Sequence, residues 1–407
     1  LTSNILLEAI KRDSSDIHIE TYEKTVIVRF RVDGILYDID YLGVSKDNVG
    51  GIINVFKVQA GMDIAERRMP QGGRFKKKTL DGNIYDFRLQ SQPTLHGENM
   101  ILRILNESRP LLTLHGLGFA SHIQSKYETL IRNPSGLILI TGPTGSGKTT
   151  TLYSTLGILS KDVKKKIVTI EDPIEYSLER IQQSQVKENI GFVFAQAVRS
   201  FLREDPDIML IGEIRDHETA IEAVRASQTG HLVFSTLHTN NTIESVQRLI
   251  DLNINPNSIA SELVLVISQR LTRRNCPECK KEYRPSKDLL DTFYPYGVPP
   301  GLVFFNGPGC DFCSFNGHKG RIAIMEFWFI DMESKRLIIE KANSNELLTS
   351  SMKRGMVPML KDALMKVEAG IIPLDELPSI IPYFQIINWK EDQRYLMSAE
   401  QRKVLVQ

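Results

Sequence analysis

The N-terminal quarter of the sequence alternates apolar and polar positions in a pattern that predicts strands and two helices. Between residues 26 and 32, large apolar residues occupy every second position, which is typical of a strand with one buried face. Further strands are predicted at 16–20, 35–39, 74–80, 83–91 and 99–105, helices at 6–11 and 49–60, and hairpin turns at Asp33-Gly34 and Asp81-Gly82. We therefore expect an α+β domain over residues 1–110.

Residues 111–271 follow another pattern, in which short apolar runs alternate with longer helical stretches. The runs at 137–141, 167–170, 208–211 and 232–236 predict a parallel sheet with helices on both faces, an α/β core. Residues 272–321 turn to Cys, Pro, Gly and aromatics, which predicts a small module that is not held by a hydrophobic core. Residues 322–383 are apolar-periodic and predict a helical C-terminal domain, followed by a polar tail at 384–407 with no predicted element.

A glycine-rich segment joins the strand at 137–140 to the helical run at 150–159, and it reads Gly-Pro-Thr-Gly-Ser-Gly-Lys-Thr. In a P-loop, backbone N–H groups and a helix N-terminus surround the phosphates of a nucleotide. Lys148 would reach the β- and γ-phosphates, and the Thr149 hydroxyl would bind magnesium. A chance glycine-rich turn is the alternative, and the strand and helix around it speak against this. The predicted nucleotide contacts are Gly142, Pro143, Thr144, Gly145, Ser146, Gly147, Lys148, Thr149 and Thr150.

Carboxylates follow the strand predicted at 167–170, which we expect to lie next to the P-loop strand. Ligands of such sheets bind at the carboxyl ends of the strands, where Glu171, Asp172 and Glu175 would emerge. Glu175 or Glu171 could take a proton from an attacking water or orient it. The alternative is a solvated turn that ends at Pro173.

Two further strands end in polar residues. Glu213 follows the strand at 208–211 in the manner of a Walker B carboxylate, and it would hold magnesium directly or through water. A helix-capping carboxylate is the alternative. His238 follows the strand at 232–236, where it could sense the γ-phosphate, although a lone histidine is more often structural. His231 precedes that strand and should lie at the opposite edge.

All four cysteines occur in two Cys-x-x-Cys pairs, Cys276 with Cys279 and Cys310 with Cys313. Four thiolates in this layout predict a tetrahedral structural zinc site. Disulfides are the competing interpretation, and a reducing cytosol disfavours them. A catalytic zinc would need an open coordination position.

Composition narrows the function classes. The 50 Lys and Arg side chains nearly balance 49 Asp and Glu, and the net charge of +1 gives no global attraction to nucleic acid or an anionic membrane. No apolar run approaches the roughly 18–20 residues that span a bilayer, and residues 1–19 lack a signal-peptide layout. We expect a multidomain cytosolic protein. Because the chain starts at Leu1 and runs at once into predicted elements, we expect a fragment without its upstream domain.

Arginines of the first domain are candidates for a cation delivered to the γ-phosphate. Arg88 and Arg103 stand out because each is a charged residue among apolar strand neighbours. The alternative is that they are merely solvated, as most strand arginines are. Weaker candidates are Arg29, Arg31, Arg199 and Arg203.

Taken together, these motifs resemble the type II secretion and type IV pilus assembly ATPases, the GspE/PilB family. The resemblance rests on the P-loop, the cysteine pairs, Ile-Glu-Asp-Pro-Ile-Glu at 170–175, Leu-Ile-Gly-Glu-Ile-Arg-Asp at 210–216 and Thr-Gly-His-Leu-Val-Phe-Ser-Thr-Leu-His-Thr-Asn at 229–240. Ser-Asp-Ile-His-Ile-Glu at 15–20 and Arg-Phe-Arg-Val-Asp-Gly at 29–34 extend it into the first domain. Pilus retraction ATPases generally lack the four-cysteine insert, which favours assembly or secretion. The segment at 322–327, where the family usually shows a glycine, and the tail after Tyr383 depart from the family pattern.

The resemblance implies a RecA-like ATPase core behind a PAS-like first domain, with ATP, Mg²⁺ and Zn²⁺ as cofactors. It places the acidic box on Glu171, Asp172 and Glu175, with Glu175 as the preferred general base, and the Walker B carboxylate on Glu213. The histidine box falls on His231 and His238, and the inter-subunit arginines match Arg88 and Arg103.

The resemblance also implies a cytoplasmic homohexamer peripheral to the bacterial inner membrane. In such rings, ATP drives movement of the first domain against the core, the ring drives an inner-membrane platform protein, and a cytoplasmic protein docks the upstream domain. Two other functions stay open. A nucleic-acid translocase could use the same core, although the sequence has no basic, aromatic-rich stripe, so direct nucleic-acid binding is not expected. A non-catalytic adaptor could bind nucleotide only as a switch, although Lys148, Glu175 and Glu213 speak against it.

Overall fold

The computed structural model describes residues 1–79, 82–106, 110–387 and 389. The chain divides between Pro110 and Leu111 into two compact units, which are described separately below. The predicted turn residue Asp81 and the greater part of the predicted polar tail lie outside the described residues. Within the described part, no helix has both the length and the apolar character needed to cross a lipid bilayer.

The first unit is an α+β domain built on one antiparallel sheet. Its elements are α1 (Thr2–Lys11), β1 (Ser14–Thr21), β2 (Val26–Val32), β3 (Ile35–Asp38), α2 (Val49–Gln59), β4 (Gln71–Lys78), β5 (Ile84–Thr94) and β6 (Gly97–Asn106). The strand order is β3-β2-β1-β6-β5-β4. Apolar residues of both helices and of one sheet face form the core, where Val28 and Phe30 of β2 are buried. Arg29 and Arg31 alternate with them along β2 and therefore lie on the other face.

The second unit alternates helices and strands before it ends in helices. Its elements are α3 (Leu114–Leu117), α4 (Ser121–Leu130), β7 (Gly136–Thr141), α5 (Lys148–Leu159), β8 (Ile167–Glu171), β9 (Ile181–Gln185), α6 (Phe194–Phe201), β10 (Ile208–Ile211), α7 (His217–Gln228), β11 (Leu232–Leu237), α8 (Thr242–Asp251), α9 (Pro256–Glu262), β12 (Leu263–Asn275), β13 (Lys281–Tyr283), α10 (Lys287–Phe293), β14 (Phe304–Asn306), β15 (His318–Phe329), α11 (Met332–Ile339), α12 (Ser344–Lys353), α13 (Met359–Glu368) and α14 (Leu377–Ile380).

A sheet with the strand order β15-β12-β7-β11-β10-β8-β9 forms the centre of this unit. Neighbouring strands run parallel, except that β15 runs antiparallel to β12. Separate hydrophobic clusters cover its two faces. All residues of β7 are buried, as expected for a central parallel strand that reads as one apolar run. The sheet therefore brings the carboxyl ends of β7, β11 and β10 together at one edge.

One expectation about strand order is wrong. β8 does not lie next to the P-loop strand β7, because β11 and β10 stand between them. The apolar runs indicate that strands exist. They carry no information about the connections between strands, which determine the order of the strands in the sheet. Residue order along the chain was therefore a poor guide to position across the sheet.

The interpretation of residues 322–383 as wholly helical is also wrong at its start. Residues 322–329 belong to β15, which pairs along much of its length with β12. A strand buried on both faces reads as an unbroken apolar run, and periodicity cannot distinguish such a run from a buried helix. The helices begin at Met332. The predicted boundaries after residues 271 and 321 consequently lie inside β12 and β15.

Candidate active site

The P-loop connects the end of β7 to the first residue of α5, and glycines determine its path. Gly142 and Gly147 have positive φ angles of 142° and 87°. A Cβ atom on Gly142 would lie 2.3 Å from the backbone oxygen of Gln269, so only glycine fits there. This path leaves Pro143, Thr144 and Gly145 exposed at the turn, and Thr149 and Thr150 exposed in the first turn of α5.

Lys148 begins α5 and is half-buried. Its Nζ donates hydrogen bonds to the carbonyl oxygens of Gly142, at 2.8 Å, and Pro143, at 3.1 Å. Burial lowers the pKa of Lys148, and the carboxylate of Glu213 acts in the opposite direction. The ammonium group therefore lies within the P-loop and in the field of the predicted Walker B carboxylate.

Glu213 is the centre of a charged cluster at the carboxyl edge of the sheet. Its side chain is 14% exposed, and Oε2 lies 3.4 Å from Nε2 of His238. The guanidinium of Arg215 forms an ion pair with the other oxygen. This salt bridge raises the pKa of Arg215. The structure thus brings Lys148, Glu213 and His238 together, as expected for residues that follow neighbouring strands.

Arg215 was not singled out in the sequence, although it stands two residues after Glu213.

His231 lies at the start of β11, where its Nδ1 contacts the carbonyl oxygen of Ala226 at 2.9 Å. It is therefore at the edge of the sheet opposite to His238, as the sequence suggested.

Tyr153 of α5 forms hydrogen bonds with two residues of the acidic segment at the end of β8. Its hydroxyl donates to Glu171 and accepts a hydrogen bond from the backbone N–H of Glu175 at 3.3 Å. Its ring packs edge to face against Tyr176, with 4.7 Å between centroids. Burial, followed by the nearby Glu171 carboxylate, raises the pKa of Tyr153. The acidic segment therefore contacts the P-loop helix although β8 is distant from β7 in the strand order. Tyr153 could not be found from the sequence, because one tyrosine in a helix carries no local pattern.

Glu171 and Glu175 have different surroundings. Glu171 is buried and accepts hydrogen bonds from the hydroxyls of Tyr153 and Thr169 and from Nε2 of Gln183. Glu175 is half-buried, and Asp172 is exposed with its Oδ2 at 4.0 Å from Arg215. A carboxylate held by three donors is suited to anchoring the segment, so these contacts favour Glu175 over Glu171 as a proton acceptor.

We expect Glu171→Ala to destabilise the protein by roughly 1–3 kcal/mol, because it leaves buried donors of Tyr153 and Thr169 without an acceptor. Urea unfolding of the full chain measures this change. Glu179→Ala is the control, since Glu179 is exposed in the same loop. An equal effect of the two substitutions would refute the anchoring role.

Arg88 and Arg103 are cross-strand neighbours in the first unit. The register places Arg31, Asp16, Arg103, Arg88 and Arg74 in one row across five strands. Arg74 pairs with Asp86, and Arg103, whose side chain is 62% exposed, lies 3.4 Å from Asp16. The row therefore concentrates guanidinium groups on one face of the sheet, with the carboxylates of Asp16 and Asp86 among them.

Three of the four weaker arginine candidates, Arg29, Arg31 and Arg199, have carboxylate partners. Arg29 pairs with Glu20, and Arg31 lies 3.8 Å from Asp16. Arg199 donates to Glu222 at 3.0 Å. Each of these three guanidinium groups therefore has an acidic partner within its own unit.

The four cysteines form one cluster whose sulfur atoms all lie within 4.8 Å of one another. The sulfur of Cys276 is 3.8 Å from that of Cys310, and Cys279 is 3.9 Å from Cys313. These are free thiols, because a disulfide needs about 2.05 Å. Four sulfurs at about 2.3 Å from a tetrahedral zinc would be about 3.8 Å apart, so the donor set fits that metal.

Local hydrogen bonds favour the thiolate form of Cys313, whereas burial raises the pKa of Cys276 and of Cys279. The backbone N–H groups of Cys310 and Gly317 both donate to the sulfur of Cys313, each at 3.2 Å. Burial raises the pKa of Cys313, and these donors outweigh it, so that the pKa is lowered to about 7. Thiolates are the form in which cysteines bind metal.

Comparison with known proteins decides the family. The family model described as Type II/IV secretion system protein matches residues 1–379. The chain belongs to this family. The type II secretion system ATPase E of Vibrio cholerae is 42% identical, over 93% of this chain and 74% of its own length. The type IV pilus assembly ATPase PilB of Myxococcus xanthus is 43% identical, over 93% of this chain and 66% of its own length.

Solved structures agree with the fold of this secretion-family chain. The Legionella pneumophila ATPase DotB matches with a TM-score of 0.68 and 25% identity, covering 92% of this chain and 93% of its own. The pilus retraction motor PilT with bound ADP matches with a TM-score of 0.63 and 27% identity, covering 92% and 94%. The family resemblance inferred from the sequence motifs is confirmed. With its P-loop, this family member is an ATP hydrolase of the secretion and pilus-assembly class.

Proposed function

We propose that this chain is the hexameric motor of a type II secretion or type IV pilus assembly machine. The observation that carries the proposal is the convergence of Lys148, Glu213 and His238 at one sheet edge. In this proposal, ATP hydrolysis drives movement of the first domain, which acts on an inner-membrane platform protein. A cytoplasmic protein docks the motor, which lies in the cytoplasm next to the inner membrane and reaches the membrane only through partners.

ATP binding is the first step of the proposed mechanism. The backbone N–H groups of the P-loop after Pro143 surround the phosphates, and Lys148 exchanges its bonds to the carbonyl oxygens of Gly142 and Pro143 for bonds to phosphate oxygens. The site also fits magnesium, which would neutralise charge on the β- and γ-phosphates. The Thr149 hydroxyl and Glu213 would hold it. Because Arg215 and His238 already contact the two oxygens of Glu213, contact through water suits Glu213 better than direct ligation.

Water activation is the second step. Glu175 takes the proton of the attacking water or orients it, and Glu171 anchors the segment through Tyr153. His238 reports the state of the γ-phosphate to Glu213 through their contact. These roles assign one function each to Glu171, Glu175 and Glu213.

Arginines of a neighbouring subunit complete the proposed site. Arg88 and Arg103 stabilise the charge that develops on the transferred phosphoryl group, as arginine fingers do. The family resemblance and the concentration of arginines in one row of the first unit support this assignment. A site shared head to tail by neighbouring protomers is compatible with the proposed closed ring.

The cysteine cluster is proposed to hold a structural Zn²⁺, because all four positions of a tetrahedral site come from the protein. The module at 272–321 would then orient the core relative to the C-terminal segment at 322–383. Secretion and pilus-assembly relatives are equally similar to this chain, so the proposal keeps both machines.

Catalysis by this site is tested by Glu213→Gln, which we expect to lower kcat for phosphate release by about 10²–10³-fold while ATP still binds. Glu204→Gln is a matched control, because Glu204 pairs with Lys166 before β10, at the other edge of the sheet. Equal, background-level phosphate release by wild type and Glu213→Gln would instead support a non-catalytic adaptor. A rate that rises strongly with DNA but not with platform protein would support a translocase.

A further inference from the structure

The P-loop packs against one polar residue that belongs to none of the nucleotide-binding motifs. Gln269 lies on β12, the strand beside β7, one residue beyond the last parallel pair, Ser268 with Thr141. Its side chain is 1% exposed, although polar residues are rarely buried without a specific partner. β12 therefore extends past the end of the P-loop strand and places a carboxamide beneath the loop.

Both polar atoms of this carboxamide form hydrogen bonds. Nε2 of Gln269 donates to the backbone oxygen of Ser146 at 2.8 Å. Oε1 accepts a hydrogen bond from the hydroxyl of Thr151, also at 2.8 Å. Ser146 lies in the loop and Thr151 in the first turn of α5, so one side chain links the loop to the helix that follows it.

The first and last glycines of the loop contact the same residue. A Cβ on Gly142 would lie 2.3 Å from the backbone oxygen of Gln269, and a Cβ on Gly147 would lie 2.8 Å from its Nε2. The loop is thus held closely against Gln269 at both ends. Its N–H groups are the ones that would surround the phosphates.

We propose that Gln269 is a positioning residue for nucleotide binding, which holds the P-loop in its phosphate-binding path. It touches neither the nucleotide nor the reacting atoms. Loss of the Gln269 carboxamide leaves the Ser146 carbonyl and the Thr151 hydroxyl without this partner, and the loop can leave its path. Phosphate binding then has to order the loop again, which weakens the binding of any nucleotide. ATP and ADP, and the ground and transition states, lose this contribution alike. Uniform loss of this kind raises KM and leaves kcat nearly unchanged.

The test is Gln269→Met in the full chain, since methionine keeps the length and volume but neither hydrogen bond. We expect the Kd for ADP, measured by calorimetric titration, and the KM for ATP to rise about tenfold, which corresponds to about 1.4 kcal/mol. We expect kcat to change less than threefold. Thr151→Val removes only one of the two bonds and should raise both constants by about threefold.

Thr155→Val provides the control for a merely structural effect. Thr155 is buried one turn further along α5, where its hydroxyl contacts Tyr127 at 2.7 Å and not the loop. This substitution should lower Tm and leave the ADP Kd within twofold of wild type. If Gln269→Met lowers Tm as Thr155→Val does but leaves the Kd and KM unchanged, the proposal fails. Should Gln269→Met not fold, an unchanged ADP Kd in Thr151→Val overturns it equally.

Discussion

Replacing Arg88 with glutamine should lower kcat for ATP hydrolysis by about 10³–10⁵-fold, the range associated with loss of an arginine finger. The binding of ATP should change little, because the P-loop and Lys148 remain intact. The Tm should change little, because Arg88 is only partly buried and glutamine keeps a polar side chain at this strand position. Steady-state phosphate release and differential scanning calorimetry on the same preparations separate the two effects. Arg103→Gln should behave in the same way.

Mixing two inactive variants tests whether the site is shared between protomers. Arg88→Gln and Lys148→Ala should each be inactive alone, but a mixed ring contains junctions with Lys148 from one subunit and Arg88 from the next. An equal mixture should recover about a quarter of wild-type turnover. In random rings, about half of the junctions have an intact Lys148, and about half of those have an intact Arg88 from the neighbouring subunit. Arg68→Gln is the control, because Arg68 is an exposed arginine of the same unit with a local partner, Glu66. No recovery in a mixture of verified hexamers would refute the shared site.

Removing the metal from the cysteine cluster should produce the largest change in stability. Structural zinc contributes about 10–16 kcal/mol to the folding of small zinc peptides. We expect Cys276→Ser, or chelation, to unfold the module between β12 and β15 and to lower the Tm by at least several degrees. Turnover should then fall indirectly, because β12 borders the P-loop strand.

Metal content and stability have to be measured on the same sample. Elemental analysis verifies removal, a phosphine reductant prevents disulfides, and calorimetry gives the Tm. Lys281→Ala in β13 is the control, since Lys281 is exposed near the cysteines and supplies no sulfur. Undiminished thermal stability after verified removal would show that the cluster does not depend on metal.

Local patterns were enough to predict the strands that carry the site. The predicted strand at 26–32 has the same bounds as β2, because its alternation reflects one buried face, and the run at 208–211 coincides with β10. Lys148, Glu213 and His238 could be predicted to meet because each follows a buried strand and parallel strands share a carboxyl edge. Strand order across the sheet could not be predicted, since it depends on helix packing far along the chain.

The residues that support the site were harder to find. Tyr153 and Gln269 act through partners that are distant in sequence, Glu171 and Ser146, and no spacing rule connects them. Gln269 did leave a faint signal, a polar residue at the end of the apolar run at 263–267, which a buried strand would not tolerate without a partner. β15 was missed because its double-sided burial removed the alternation that marks a strand.

β12 runs without interruption from the middle of the core sheet to Asn275, the residue before Cys276. The distance from Gln269 to Cys276 is seven residues, or roughly 23 Å in extended conformation. Beyond Ser268, β12 is paired with β15 alone, and this pairing shifts register between Arg273 and Asn275. The cysteine module is therefore joined through a two-stranded segment to the residue that packs beneath the P-loop, so loss of order in the module has a direct route to the nucleotide pocket.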